Sequence, residues 1–240
     1  FVAIVASSGE GFSGSMLLVG TGLLGIAMSA FVQLSTISGG GTAGVIGVVS
    51  DVWFQGMMGN AFGLLIPMGV ASFVLQKSSG ISVLSHPQSL SIAVLLGGFG
   101  GLGGLSALSD GPVPSWVGAV GSGSAFFVSV AVLTFGVGVF SQNDAPEGSP
   151  SVSFVRWGLL TWITASLLRI LTVLPGVAES AQLTVSQIGV DLLQYVVGGG
   201  LVVWGAIYYL FPRVCGCEWL SSSLISWHLR GCLYGGGLAF

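Results

Sequence analysis

Seven apolar runs alternate with short polar joins along the chain. The runs lie at approximately 16–36, 52–76, 88–109, 116–140, 153–175, 187–212 and 223–240. Each is close to the 20 or so residues that a helix needs to cross hydrocarbon. The joins read "SGGGTAGVIGVVSD", "QKSSGISVLSHP", "SDGPVPS", "SQNDAPEGSPSV", "PGVAESAQLTVS" and "PRVCGCEWLSSS". A chain crossing lipid must satisfy its backbone hydrogen bonds internally, and an apolar run of this length does so as a helix. The pattern predicts an all-α fold: one polytopic transmembrane helical bundle over residues 1–240, with about seven spans. The third run, rich in glycine, gives the weakest signal.

Composition strengthens this picture. Five Lys or Arg and eight Asp or Glu stand among 240 residues, and hydrophobic residues make up 52%. A soluble domain carries roughly a quarter charged residues, so most of this surface must face lipid. The net charge of −3 gives no argument for nucleic acid or an acidic substrate. Three cysteines form no disulfide framework. The chain opens on Phe1, so a processed or truncated N-terminus is expected, and no targeting peptide is visible.

The few charges orient the bundle. Lys77 and Arg213 follow the second and sixth runs, and Arg156 opens the fifth. Lys and Arg are missing from the opposite joins, which hold Asp51, Asp110 and Glu179. By the positive-inside rule the N-terminus lies inside and Phe240 at the far face.

Other charges fall within the runs. Arg169 in "LLRILTVL" and Asp191 in "IGVDLLQY" sit at similar depth in consecutive antiparallel runs. Charges in lipid are costly and normally pair, so a structural Arg169–Asp191 pair is expected. The alternative is Arg169 snorkelling alone to the interface. Arg230 snorkels or meets another chain. Small-residue spacings at Gly59/Gly63, Gly97/Gly101, Gly100/Gly104 and Gly231/Gly235 favour close helix approach, within the bundle or against a partner.

Ordered motifs carry a resemblance to a known family. "GAIYYLFPRVCGCEWLSSSLISWH" resembles the end of the tenth helix, the following loop and the start of the eleventh helix of the heme–copper oxidase catalytic subunit (subunit I). The cbb-type cytochrome c oxidases are nearest, with their Gly-x-x-Tyr-Tyr-x-x-Pro-Arg string. "DVWFQGMMGNAFGLL" resembles the sixth helix, "LSIAVLL" the start of the seventh, and "VPSWVGAV" the loop opening the eighth. The order holds from about residue 43 to 240. The resemblance therefore implies helices five to eleven of a twelve-helix subunit, its C-terminal half.

The family's cofactor ligands do not carry over. Heme iron and copper there take imidazole nitrogen. The resemblance places Val190 and Leu192 at the heme-histidine positions, and Met57, Ser106 and Ala107 at the copper-histidine positions. Gly100 takes the place of the active-site tyrosine. Only His86 and His228 occur in the chain, and neither matches a ligand position. Met57 and Met58 are expected to be packing residues. Cys215, Cys217, His228 and Cys232 superficially resemble a metal set. Cys232 should lie roughly 13 Å from the Cys215–Cys217 loop by helix rise.

The resemblance implies a non-catalytic, structural transmembrane subunit of a respiratory-chain complex, a cytochrome c oxidase above all. Such a chain would have no activity or cofactor of its own, with heme and copper in partner subunits. Its partners would be other membrane subunits and lipid, and a second chain would cover its exposed face. A divergent mitochondrial inner membrane is favoured over a bacterial one. The alternatives are a small transporter or channel with a polar path at Arg169, Asp191 and Gln194, or one half of a split catalytic subunit.

Overall fold

The computed structural model describes residues 14–40, 44–79, 83–109, 111, 113–141, 149–174, 176–182, 185–217, 219 and 221–239. Among these residues every regular element is helical. Six helices are long and apolar enough to cross a membrane: Gly14–Ser38, Gly44–Ser78, His86–Leu108, Ser115–Phe140, Pro150–Thr172 and Ser186–Cys215. The protein is an integral membrane protein built as a helical bundle.

The count is six where the hydropathy pattern predicts about seven. The seventh run does form a helix, Ser222–Ala239. His228, Arg230, four serine or tyrosine positions and its glycines leave it too polar to rank with the spans. A second difference lies in "SGGGTAGVIGVVSD", expected as a join. The helix of the second span begins within it, at Gly44, because Val45–Val49 is itself apolar. Asp51 thereby sits on a helix, where it accepts a hydrogen bond from Gln33 Nε2 at 2.6 Å. Ser50 Oγ in turn donates to Gln33 Oε1 at 3.2 Å.

The first span shows how the sequence packs these helices. Its buried positions are Ser15, Leu18, Gly22, Gly25 and Ser29, spaced three and four apart along one stripe. Leu24, Met28, Phe31 and Leu34 point outward. Small residues face the bundle and large apolar ones face lipid, the arrangement expected where lipid competes for every apolar side chain. Where four spans meet, Leu64, Leu65, Met68, Ile92, Leu96, Phe135, Leu159 and Trp162 form a fully buried core.

Two spans contain wide turns. In the second, Ala61–Leu65 is π-helical. Pro67 follows immediately and has no N–H to give the carbonyl four residues back. The Ile66 N–H bonds Ala61 O instead, widening the turn. In the sixth span Leu192–Gly198 is π-helical. There the Trp162 indole Nε1 donates to Gln194 O at 2.8 Å, a side chain inserted into the backbone ladder. The two wide turns face one another, with the Tyr195 ring lying where a Cβ on Gly63 would be, 2.4 Å from its Cδ1. Changing Trp162 to Phe keeps the edge contact with Phe135 but orphans the Gln194 carbonyl. Chemical unfolding in detergent should register a loss of about 1–3 kcal/mol.

The stretch "GAIYYLFPRVCGCEWLSSSLISWH" forms a clasp. Pro212, inside the last helix of the sixth span, frees the Tyr208 carbonyl. Trp219 Nε1 donates to that carbonyl at 3.3 Å. Arg213 Nη1 donates to Tyr209 O at 2.6 Å, with its guanidinium 3.7 Å above the Tyr209 ring. Gly216, at φ 64°, ends the helix in the left-handed turn that glycine adopts without strain. The chain then returns, and Tyr208 Oη meets His228 Nδ1 at 2.8 Å on the terminal helix. Tyr208→Phe should loosen that helix. Limited proteolysis would read this as faster cleavage after Arg230, with the six spans unaffected.

Candidate functional site

The third and fifth spans end, and the second, fourth and sixth begin, at the same end of the bundle. Lys77, Arg156 and Arg213 lie toward the opposite end. Between the first set of helix ends is a cavity of about 330 Å³. Its polar walls are Gln55, Asn60, Ser106, Arg169, Gln187, Asp191 and Gln194, with Tyr195 alongside. It opens beside Asp191, whose side chain is 48% exposed, and runs inward past Arg169, whose side chain is 10% exposed.

The structure brings Arg169 and Asp191 together: Arg169 Nη2 donates to Asp191 Oδ1 across the fifth and sixth spans. The pair is neutral as a unit, so the cavity has a charged lining without a net charge. Asn60, only 2% exposed, anchors the floor. Its Nδ2 donates to Gly56 O at 3.2 Å and to Gly100 O at 3.0 Å. Because both partners are carbonyls, the amide orientation is fixed, and Oδ1 is the atom left over. That oxygen has no hydrogen-bond partner. Gln194, 1% exposed, likewise has an unpartnered Nε2. The orphaned acceptor and donor thus belong to two residues of one cavity wall, Asn60 just before the first wide turn and Gln194 within the second. Wide turns of this kind are frequent at functional sites.

The five positions at which the resemblance puts cofactor ligands do not converge. Ser106 and Ala107 line the cavity. The Met57 side chain is turned toward the first span, its methyl packed on Gly25. Val190 is buried, and Leu192 lines a separate groove beside the terminal helix. The donors available are one thioether and one hydroxyl, and the Ser106 hydroxyl already donates to Gly103 O at 2.8 Å. This set does not fit heme iron or an imidazole-bound copper. Gly100, at the tyrosine position, is filled by Asn60: a Cβ there would meet the Asn60 Cβ at 2.9 Å.

The remaining candidates separate. Cys215 and Cys217 are exposed, and Cys232 is partly buried on the terminal helix. Among the described residues no three His, Cys, Asp or Glu side chains group as a metal site. His228 is held by Tyr208 among Phe154 and Trp204. His86 is exposed at the start of the third span, beside the Ser85–Gln88 capping box. Arg230 lies over the Trp227 ring at 5.5 Å. Asp110 lies outside the described residues, and Glu179 falls in the short helix Val177–Gln182.

Asn60 and Gln55 line the cavity and were not singled out by the sequence pattern. Their signal was present: uncharged amides inside a long apolar run, where polar groups are expensive and rarely idle. Compared with protein-family models and with curated proteins, the chain matches none.

Proposed function

We propose that the chain is a non-catalytic transmembrane subunit of a respiratory-chain complex, the oxidase resemblance pointing to a terminal cytochrome c oxidase. Its work on this reading is packing against neighbouring subunits, with heme and copper held by partner chains. The observation that carries it concerns the four glycine pairs. Gly59/Gly63 is filled by Tyr195, Gly97/Gly101 by Thr21 and Trp53, and Gly100/Gly104 by Asn60, Val52 and Gly56. Gly231/Gly235 meets nothing within 4 Å, and neither does Gly200 across from it. These three line a groove of about 350 Å³ with Leu192, Val196 and Trp204. Two glycines one turn apart and bordering a groove leave room for a further helix to approach closely. The basic residues at one end favour that end as the inner side, with the N-terminus there. A mitochondrial inner membrane is the favoured setting over a bacterial membrane.

Mass spectrometry of the protein purified in mild detergent tests this directly. Heme-bearing membrane subunits should co-purify, and the double change Gly231→Leu, Gly235→Leu should reduce their recovery roughly tenfold. The bundle should stay intact, because neither position touches it. Stoichiometric heme in the isolated chain would sink the non-catalytic reading in favour of a split catalytic subunit.

The cavity favours a second reading, a small transporter or channel using Arg169, Asp191 and Gln194. Its polar lining stops at Asn60 and Gln194, and the apolar core of Leu64, Leu65 and Trp162 follows. Solute flux in liposomes made with the purified chain alone would decide for transport.

A further inference from the structure

We propose that the groove between the start of the fifth span and the terminal helix binds an anionic phospholipid, its phosphodiester seated on Arg230. The groove encloses about 630 Å³ and is lined by Trp157, Ser226, Leu229, Arg230, Leu233 and Tyr234. The five terminal-helix residues recur three and four apart, so they share one face. Gly231 and Gly235 belong to another face, so this site stands or falls separately from docking at those glycines.

Depth places the groove at headgroup level. Arg230 lies about 12 Å along the terminal helix from Ser222, and Trp157 about 10 Å along the fifth span from Pro150. Both helices start at the end of the bundle that carries Lys77, Arg156 and Arg213. Helical side chains lean toward their own N-terminus, so Arg230 reaches back toward that end, over the Trp227 ring. Trp157, Trp227 and Tyr234 are exposed around it, and Trp and Tyr gather at membrane–water interfaces.

Charge names the occupant. Arg230 is exposed, and among the described residues it forms no ion pair and donates no hydrogen bond. The Trp227 ring, with its centroid 5.5 Å from the guanidinium carbon, meets only a face of that group. The N–H donors lie in the guanidinium plane, stay available, and match phosphate oxygens in pairs. The other polar groups of the lining agree. The Trp157 indole can only donate, the Tyr234 hydroxyl is a further donor, and the Ser226 hydroxyl already donates to Ser222 O at 3.0 Å. Among the described residues no carboxylate lines the groove.

A lone charge on a lipid-facing helix is costly until it is paired, and basic grooves between membrane helices hold anionic headgroups. Leu229, Leu233 and the Trp157 ring give the acyl chains an apolar wall. A zwitterionic headgroup would bring its own cation beside the guanidinium, so a lipid of net negative charge is favoured.

The test uses the full chain in nanodiscs of equal parts phosphatidylglycerol and phosphatidylcholine, with native mass spectrometry counting the lipids retained on the protein. Phosphatidylglycerol should be retained in preference. The preference should survive high salt, which screens diffuse attraction to exposed basic residues. Arg230→Gln should cut it roughly fivefold, the effect of one Arg at an anionic surface, and Arg230→Lys should keep most of it. Leu233→Trp fills the groove without altering its charge and should lower retention likewise, which carries the comparison if Arg230→Gln does not fold. Equal retention of the two lipids, a preference abolished by salt, or one unchanged in Arg230→Gln and Leu233→Trp would overturn the assignment and leave Arg230 to Trp227 or a neighbouring subunit.

Discussion

Replacing Gly121 with leucine is expected to destabilise the folded bundle strongly, while the same change two residues away at Gly123 leaves it intact. A Cβ on Gly121 would stand 2.1 Å from Ser106 N and 2.4 Å from Leu105 C. Those are backbone atoms of the 3-10 turn Gly104–Leu108 that ends the third span. They cannot swing aside as a side-chain tip can, so the fourth span must move bodily. The move would also open the adjoining cavity, since Ser106 and Ala107 belong to its wall. The loss should reach about 3 kcal/mol, the upper end of overpacking effects. Gly123 is exposed and has nothing within 4 Å of a Cβ. Yield of monodisperse protein and the midpoint of thermal unfolding in detergent measure both. Equal behaviour of the two variants would mean that the third and fourth spans do not meet at Gly121.

The same contrast explains what the amino-acid pattern could and could not reveal. Apolar runs of span length are visible at once, because lipid demands them, and the six spans fall within a few residues of the expected runs except at Gly44. The last run was harder, because His228 and Arg230 sit in an otherwise apolar helix held by the Tyr208 clasp. Glycine spacing signals close approach but not the partner. Nothing local says that Gly63 meets Tyr195, or that the Gly231 pair meets nothing.

The site was legible in its charges and obscure in its amides. Arg169 and Asp191 stand out in apolar surroundings, and Gln194 lies one turn beyond Asp191. Asn60 acquires meaning only when Pro67 widens the turn beside it and Gly100 gives it room. The cavity thus depends on one local feature, the wide turn set by Pro67, and on two tertiary facts: a tryptophan inserted at Gln194, and glycines that let the third span approach. Neither of the latter two names its partner within a single window of sequence. The exposed Gly231 groove and the cavity draw on different faces of the sixth span, Leu192 and Val196 on one and Asp191 and Tyr195 on the other.

Asp191→Leu is expected to be far more damaging than Arg169→Leu, although each removes the same ion pair. The asymmetry follows from burial: the Arg169 side chain is 10% exposed and that of Asp191 is 48%. Removing the carboxylate strands a buried guanidinium, a defect of about 3–5 kcal/mol. Removing the guanidinium leaves a carboxylate already half in contact with the cavity mouth, where water can solvate it. The double change Arg169→Leu, Asp191→Leu should regain most of the stability lost in Asp191→Leu, because two apolar side chains meet no unpaired charge. Unfolding of the three variants in bicelles closes the cycle, with a coupling of about 2 kcal/mol or more expected for groups in direct contact. Strictly additive losses would mean that Arg169 reaches water by itself and that the two spans are held together by their glycine and tryptophan contacts alone.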